Sequence, residues 1–220
     1  MNTTELLTIT SAIVPEREAI VFDGNRMSFG ELADRVNRLT NALGELGVSP
    51  GDRVAVMQVN CNEHIESYFA AAKLDAIFVP INFRARAEEL SFMLNDSGVK
   101  VIILGQRYQD MLRSIKAELT TVEHMITLEG PGDGFLFYDE LLENASDEER
   151  SPSDDEDDTT IVMFTAGTTG TPPLRAINSK PFLKLSNGPK REIPPSGKIP
   201  MALPSRSLSD ALTMASLALL

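Results

Sequence analysis

Thr160-Ile-Val-Met-Phe-Thr-Ala-Gly-Thr-Thr-Gly-Thr-Pro172 joins a short apolar run to a loop of small and hydroxylated residues holding two glycines. The run Thr160–Phe164, bounded by such a loop, predicts a strand. Glycine lets the backbone turn its N–H groups toward a ligand, and threonine hydroxyls add donors, so the loop suits phosphate oxygens. It is not a Walker loop, because neither Gly167 nor Gly170 is followed at the required spacing by Gly-Lys. A plain glycine-rich turn is the alternative, and the doubled threonine between two glycines weighs against it.

Upstream of this stretch, helical and strand patterns alternate. Thr4–Ile13 reads as a helix, residues 19–22 as a strand and Asp23-Gly-Asn25 as a turn. Ser28 with Glu31 has capping-box spacing, and Leu32, Val36, Leu39 and Leu43 continue a helix that stops at Gly47. Strands are predicted at Arg53–Met57, 76–79, Val99–Leu104 and 125–128. Helices are predicted at 63–74, 87–94, 108–119 and 138–143. Apolar strands alternating with helices indicate an α/β fold with a mainly parallel sheet flanked by helices.

The charge of −12 over 220 residues excludes non-specific nucleic-acid or anionic-membrane binding as a leading function. It is unevenly spread: residues 173–220 hold seven basic and two acidic side chains, a net of +5 that leaves −17 for 1–172. Seven of the thirteen prolines also fall after Pro172. These shifts divide the chain into a body, 1–172, and a Pro/Ser/Lys-rich tail, 173–220, expected to be disordered. Within the body, 147–158 carries eight acids and reads as a solvated linker. The single cysteine, Cys61, fits a reducing compartment. No signal peptide or transmembrane segment is evident, and the reading is cytoplasmic.

Residues 165–172 resemble the phosphate-binding signature of the adenylate-forming (AMP-binding) superfamily, typically Thr-Ser-Gly-Thr-Thr-Gly-x-Pro-Lys-Gly after an apolar strand. Met27-Ser-Phe-Gly-Glu-Leu32 and Gly51-Asp-Arg-Val-Ala-Val56 are similar to earlier family segments. Ala76-Ile-Phe-Val-Pro-Ile-Asn-Phe-Arg84, continued by Glu88-Glu-Leu90 and Leu94-Asn-Asp-Ser97, resembles fatty-acyl and related acyl-CoA synthetases in particular. Three departures stand out: Asp75 where glycine is usual, Ala166 for serine, and Pro173-Leu174 for Lys-Gly.

The resemblance implies part of the N-terminal domain of the acyl-CoA synthetase fold. It implies ligation of a carboxylic (fatty) acid to CoA through an acyl-adenylate, with ATP, Mg2+ and CoA as cofactors. Contact with the ATP phosphates falls to Thr165, Gly167, Thr168, Thr169 and Gly170, with Ala166 and Thr171 supporting. No residue is assigned a catalytic role, and none a protein-held metal. The family's later motifs, including the lid with its catalytic lysine, are not recognisable in 173–220. The chain is therefore expected to be a fragment, inactive alone. A short enzyme completed by another polypeptide, and a non-enzymatic ATP-binding or interaction module, are the alternatives. The oligomeric state and the acid are not legible.

The remaining candidates read as structural. His64 and His124 lie sixty residues apart with no partner at ligand spacing, and Cys61 reads as a helix-start residue. Glu88 and Glu89 suit a helix N-terminus. Asn82 and Arg84 either face the substrate side or fix the turn after the strand.

Overall fold

The computed structural model describes residues 3–151, 159–164 and 174–178. Helix α1 (Thr3–Ile13) leads to a hairpin of β1 (Glu18–Phe22) and β2 (Asn25–Ser28). Its tip, Asp23-Gly24, has φ of 49° and 80°, the paired left-handed conformation of a type I′ turn. Helix α2 (Phe29–Glu45) starts at the predicted capping box: Glu31 N donates to Ser28 Oγ at 3.2 Å, and Ser28 N to Glu31 Oε2 at 2.8 Å.

The central sheet then forms strand by strand. Strand β3 (Arg53–Met57) is followed by α3 (Asn62–Lys73), β4 (Ile77–Pro80) by α4 (Ala87–Ser97), and β5 (Val99–Leu104) by α5 (Gln109–Ile115). Strands β6 (His124–Thr127) and β7 (Leu136–Phe137), helix α6 (Tyr138–Asn144), and strands β8 (Thr159–Phe164) and β9 (Leu174–Asn178) complete the described elements. The order is β7-β6-β5-β3-β4-β8-β9, parallel throughout except for β9, which runs antiparallel to β8. The expected α/β architecture with a mainly parallel sheet is what forms.

Period-two alternation sorts the sheet onto two cores. Val54 and Val56 of β3 and Val101 and Ile103 of β5 pack with Val36, Leu39 and Leu43 of α2 and with Ala70 and Ala71 of α3. Ala55 and Met57, with Ile102 and Leu104, face the opposite way onto Leu90 and Leu94 of α4 and Leu112 and Ile115 of α5. Fully burying a side chain of the larger of these types contributes about 1.5–3 kcal/mol.

Two turns show how sequence sets the helix ends. Gly98 closes α4 at φ 64°, and a Cβ there would stand 2.3 Å from the Arg53 guanidinium, which donates to the Ser97 and Gly98 carbonyls. Asp75, where the resemblance leads one to expect glycine, takes φ 53° after α3. Aspartate is among the few side chains that enter this region readily.

The predicted single helix 108–119 is instead a 3-10 turn (Gln106–Tyr108), α5, and a second 3-10 turn (Lys116–Glu118). Its buried residues Gln109, Leu112 and Ile115 recur every three positions, which a tighter helix aligns. Strands β2, β7 and β9 are not predicted by the sequence pattern. Strand β9 lies just beyond the compositional break at Pro172/Pro173, and the remainder of the tail, 179–220, lies outside the described residues.

The start of the acidic run is held against the helices. Asn41 Nδ2 donates to the carbonyls of Ser146 (2.7 Å) and Glu148 (2.9 Å), and Asn41 Oδ1 accepts from Arg150 Nε at 2.7 Å. Glu149 Oε1 accepts from Lys73 Nζ and from Thr8 Oγ1, each at 2.7 Å. Residues 145–150 thus strap α1, α2 and α3 together before the chain turns back toward β8, and 152–158 lie outside the described residues.

Candidate functional site

Parallel strands end on one edge of the sheet, here at Met57, Pro80, Leu104, Thr127 and Phe164. Helix α3, which follows β3 and leads outward to β4, covers one face, and α5, which follows β5 and leads the other way to β6, covers the opposite face. The chain therefore departs in opposite directions from two neighbouring strands. In open α/β sheets a crevice opens at such a point, outside the carboxyl ends, and ligands bind there. Strand β8 lies on the outer side of β4, two strands from the crevice between β3 and β5.

The predicted phosphate contacts Thr165, Ala166, Gly167, Thr168, Thr169, Gly170 and Thr171 lie outside the described residues. Their two flanks are described. Phe164, the last residue of β8, is the register partner of Leu174, the first of β9. Facing residues of an antiparallel pair stand about 4.5–5.5 Å apart. The Thr/Gly segment therefore leaves and re-enters the sheet at one paired position on the carboxyl edge.

The turn after β4 lies next to it. Phe78 of β4 pairs with Ile161 of β8, and the same step carried forward brings Ile81 level with Phe164. Ile81 N still donates to Val56 O at 2.9 Å, so the pairing of β4 with β3 persists to that residue. Asn82 then fixes the turn: its Oδ1 accepts from Arg84 N at 3.0 Å and its carbonyl from Ala85 N at 2.9 Å. Of the two readings of Asn82, the turn-fixing one is what this geometry displays. The Arg84 guanidinium stacks 5.2 Å from the centre of the exposed Phe83 ring. Arg86 precedes α4, and its backbone N–H donates to Glu89 Oε2 at 2.9 Å, so Glu89 serves the helix start.

On the turn after β3, Cys61 precedes α3 with its Sγ 3.3 Å from His64 Nδ1. Burial, reinforced by the nearby Glu63 carboxylate, pushes the Cys61 thiol up. Burial lowers His64 to about 4, and its ring meets Phe78 edge-on at 6.5 Å between centres. Both groups are thus neutral near pH 7, and a neutral thiol beside a neutral imidazole is a poor nucleophile. They pack the turn. His124 lies across the sheet at the start of β6, so the two histidines are not brought together.

Two polar groupings have no local sequence signal. Gln58, at the end of β3, donates from Nε2 to Glu129 Oε1 at 2.6 Å and accepts from Val59 N at 2.9 Å. Glu129 Oε2 also accepts from Gln106 N, which ties three carboxyl-edge turns together. Deeper in the helical layer, the fully buried Glu66 accepts from Arg35 Nε (2.9 Å), Asn62 Nδ2 (2.7 Å) and Tyr138 OH (2.8 Å). Burial holds the Tyr138 phenol well above its ordinary value, and the adjacent carboxylate adds to this. The partners lie on α2, α3 and α6, so only the fold reveals the grouping.

Among the described residues no three His, Cys, Asp or Glu side chains converge as a metal cage. Among the same residues no helix is long and apolar enough to cross a membrane.

Comparison with known proteins agrees with this arrangement. The model of the AMP-binding enzyme family matches residues 9–173. A 3-oxocholest-4-en-26-oate--CoA ligase of Rhodococcus rhodochrous is 31% identical over 78% of this chain and 32% of its own length. A long-chain-fatty-acid--CoA ligase of Thermus thermophilus is 34% identical over 67% of this chain and 27% of its own. Among solved structures, an anthranilate CoA ligase in complex with anthranoyl-AMP superposes with a TM-score of 0.81 at 26% identity, covering 84% of this chain and 36% of that one. A fatty acyl CoA synthetase of Mycobacterium tuberculosis gives 0.72 at 31% identity, covering 81% and 34%. The chain spans about a third of the length of these relatives. The chain belongs to the AMP-binding enzyme family.

Proposed function

We propose that this chain carries the nucleotide-phosphate-binding part of an ATP-dependent acyl-CoA ligase. The full reaction joins a carboxylic acid, of the fatty-acid class, to CoA, with ATP giving AMP and pyrophosphate. What supports this reading is the end of β8: Phe164, the residue before the Thr/Gly sequence, lies at the carboxyl edge of the sheet, two strands from the crevice between β3 and β5. Backbone N–H groups of Gly167 and Gly170 and the hydroxyls of Thr165, Thr168 and Thr169 hold the phosphate oxygens, with Ala166 and Thr171 shaping the loop. Mg2+ arrives with the nucleotide. CoA and the acid are substrates of the whole ligase. The chain acts in a reducing, cytoplasmic setting, consistent with one free cysteine.

As a 220-residue polypeptide it holds nucleotide without ligating. Pyrophosphate leaving the α-phosphorus needs more positive charge than residues 165–173 supply, since that segment contains no Lys or Arg. Two assays on the purified polypeptide test this. Equilibrium dialysis should show saturable ATP binding. ATP–pyrophosphate exchange with a series of fatty and aromatic acids should stay at background, and acid-dependent exchange would overturn the inactivity.

A further inference from the structure

We infer that the outer stripe of α1, formed by Leu6, Ile9 and Ile13, is a contact surface for a second copy of this chain, two α1 helices packing antiparallel about a two-fold axis at Ile9. The inference is independent of the nucleotide reading above.

This helix is apolar on both sides. Its inward side is anchored by the buried Thr4 and Leu7, and Leu7 belongs to the core that α2 and α3 share. On the opposite side Leu6, Ile9 and Ile13 are 41%, 48% and 72% exposed. Among the described residues no other element carries more than two exposed large apolar side chains. Single exposed apolar residues are ordinary on a soluble surface, whereas an aligned group marks a contact. Steps of three and then four residues bring all three within about 60° around the helix axis. That is the spacing of the seam along which two helices pack.

Charge, symmetry and area identify the partner as a second copy. Glu5 is the only charged residue of α1, in a chain of net charge −12. Two acidic copies can therefore meet along this stripe without setting like charges face to face. A bilayer surface is a poor alternative, because helices that lie in it carry Lys and Arg on their polar face and α1 has neither. Reversing the helix about Ile9 brings Leu6 to the place of Ile13 within one residue, so the stripe is self-complementary, as a two-fold contact requires. The antiparallel arrangement also sets each helix dipole against the opposite end of the other. Helix α1 has 11 residues, and a pair touching along that length covers on the order of 1,000 Å² in total. This falls below the area of permanent complexes, so the dimer is weak and reversible, with a Kd of roughly 10–100 μM.

The test is sedimentation equilibrium of the 220-residue polypeptide from about 5 to about 500 μM, a range that brackets this Kd. The mass should rise from 24.1 kDa toward twice that value. Ile9→Glu should stay monomeric throughout, while Val21→Glu, at an exposed apolar position on β1, associates as the parent does. Thermal melts at the lowest concentration should put Ile9→Glu within about 2 °C of the parent, since no core contact is lost. Should Ile9→Glu melt lower than that, Ile13→Lys, at the most exposed position of the stripe, carries the same comparison. Orientation is read with a short bismaleimide in a Cys61→Ala background. Leu6→Cys mixed with Ile13→Cys should link into heterodimers several-fold faster than either variant links with itself. A parent that stays monomeric at every concentration overturns the inference, whether or not the stripe binds phosphatidylcholine vesicles or another protein. Association that a folded Ile9→Glu leaves unchanged overturns it too, by moving the contact to another surface. Faster linking of each variant with itself overturns the antiparallel arrangement.

Discussion

Replacing Glu149 by glutamine should loosen the strap that precedes β8, and its cost follows from an asymmetry in the ion pair. The Lys73 side chain is 3% exposed and that of Glu149 is 48% exposed, with 2.7 Å between Nζ and Oε1. Breaking a fully buried pair from one side costs about 3–5 kcal/mol, because the remaining charge is stranded. Exposed pairs are worth about 0–1 kcal/mol. A buried lysine with a half-exposed partner falls between, so Glu149→Gln should cost about 2 kcal/mol. For a domain of this size that lowers Tm by roughly 4–8 °C. Lys73→Met strands no buried charge, leaves Glu149 in water and bonded to Thr8, and should cost less than half as much. Thermal melts at pH 7, followed by circular dichroism, measure both variants and the double variant. The hydrogen bonds of Lys73 and Thr8 lower the Glu149 carboxyl below its ordinary value. Its contribution is therefore present above the unfolded-state value and lost as pH falls through the lower folded value. The gap between parent and Glu149→Gln should close in acid. Equal costs for the two single variants, or a gap that widens on acidification, would refute the reasoning.

His64 makes a second, separable acid sensitivity. Its folded value of about 4 lies below the ordinary 6.5, so the unfolded chain binds the proton first. Stability from this site is full above pH 6.5, falls as pH drops toward 4, and loses on the order of 3 kcal/mol across that window. His64→Phe should flatten the upper part of the profile in urea-melt midpoints taken from about pH 7 to 5. Cys61, with its thiol raised by burial, should react with maleimide near neutral pH at least roughly tenfold more slowly than a free thiol, and denaturant should restore the ordinary rate. A native rate equal to the free thiol would contradict the packing described. Gly105 has an ordinary φ of −67°, yet a Cβ there would meet Gln58 Nε2 at 2.3 Å. Gly105→Ala should cost about 1–3 kcal/mol by displacing Gln58 from Glu129, and Gln58→Ala in the same chain should recover part of the loss.

Much of the fold is legible because the relevant signals are local. Strands β3 and β5 occur where unbroken apolar runs place them, and the Ser28/Glu31 pair marks the start of α2 within three residues. Misses occur where the deciding partner is distant. The acidic residues after Asp147 read as hydrated because like charges repel. Asn41, Lys73 and Thr8, which hold the first of them, lie more than seventy residues away in sequence. The β1–β2 hairpin carries an Asp-Gly turn signal, but Asn25-Arg26 does not alternate and so conceals β2. Strand β9 is specified by its pairing with β8, and the Pro-rich surroundings mask it. For the site, the glycines and threonines are legible as chemistry. That β8, which leads into them, lies beside β4 is a matter of strand order, which no local pattern contains.

The central claim is that Gly167 and Gly170 meet the phosphates of ATP. The polypeptide contains 14 glycines, few enough to follow individually by NMR after selective 15N-glycine labelling. Titration with Mg2+ and ATP should move the Gly167 and Gly170 amide signals saturably, leave Gly24 and Gly47 in place, and have no such effect with adenosine. Saturable ATP binding that leaves both of these signals unmoved would contradict the account.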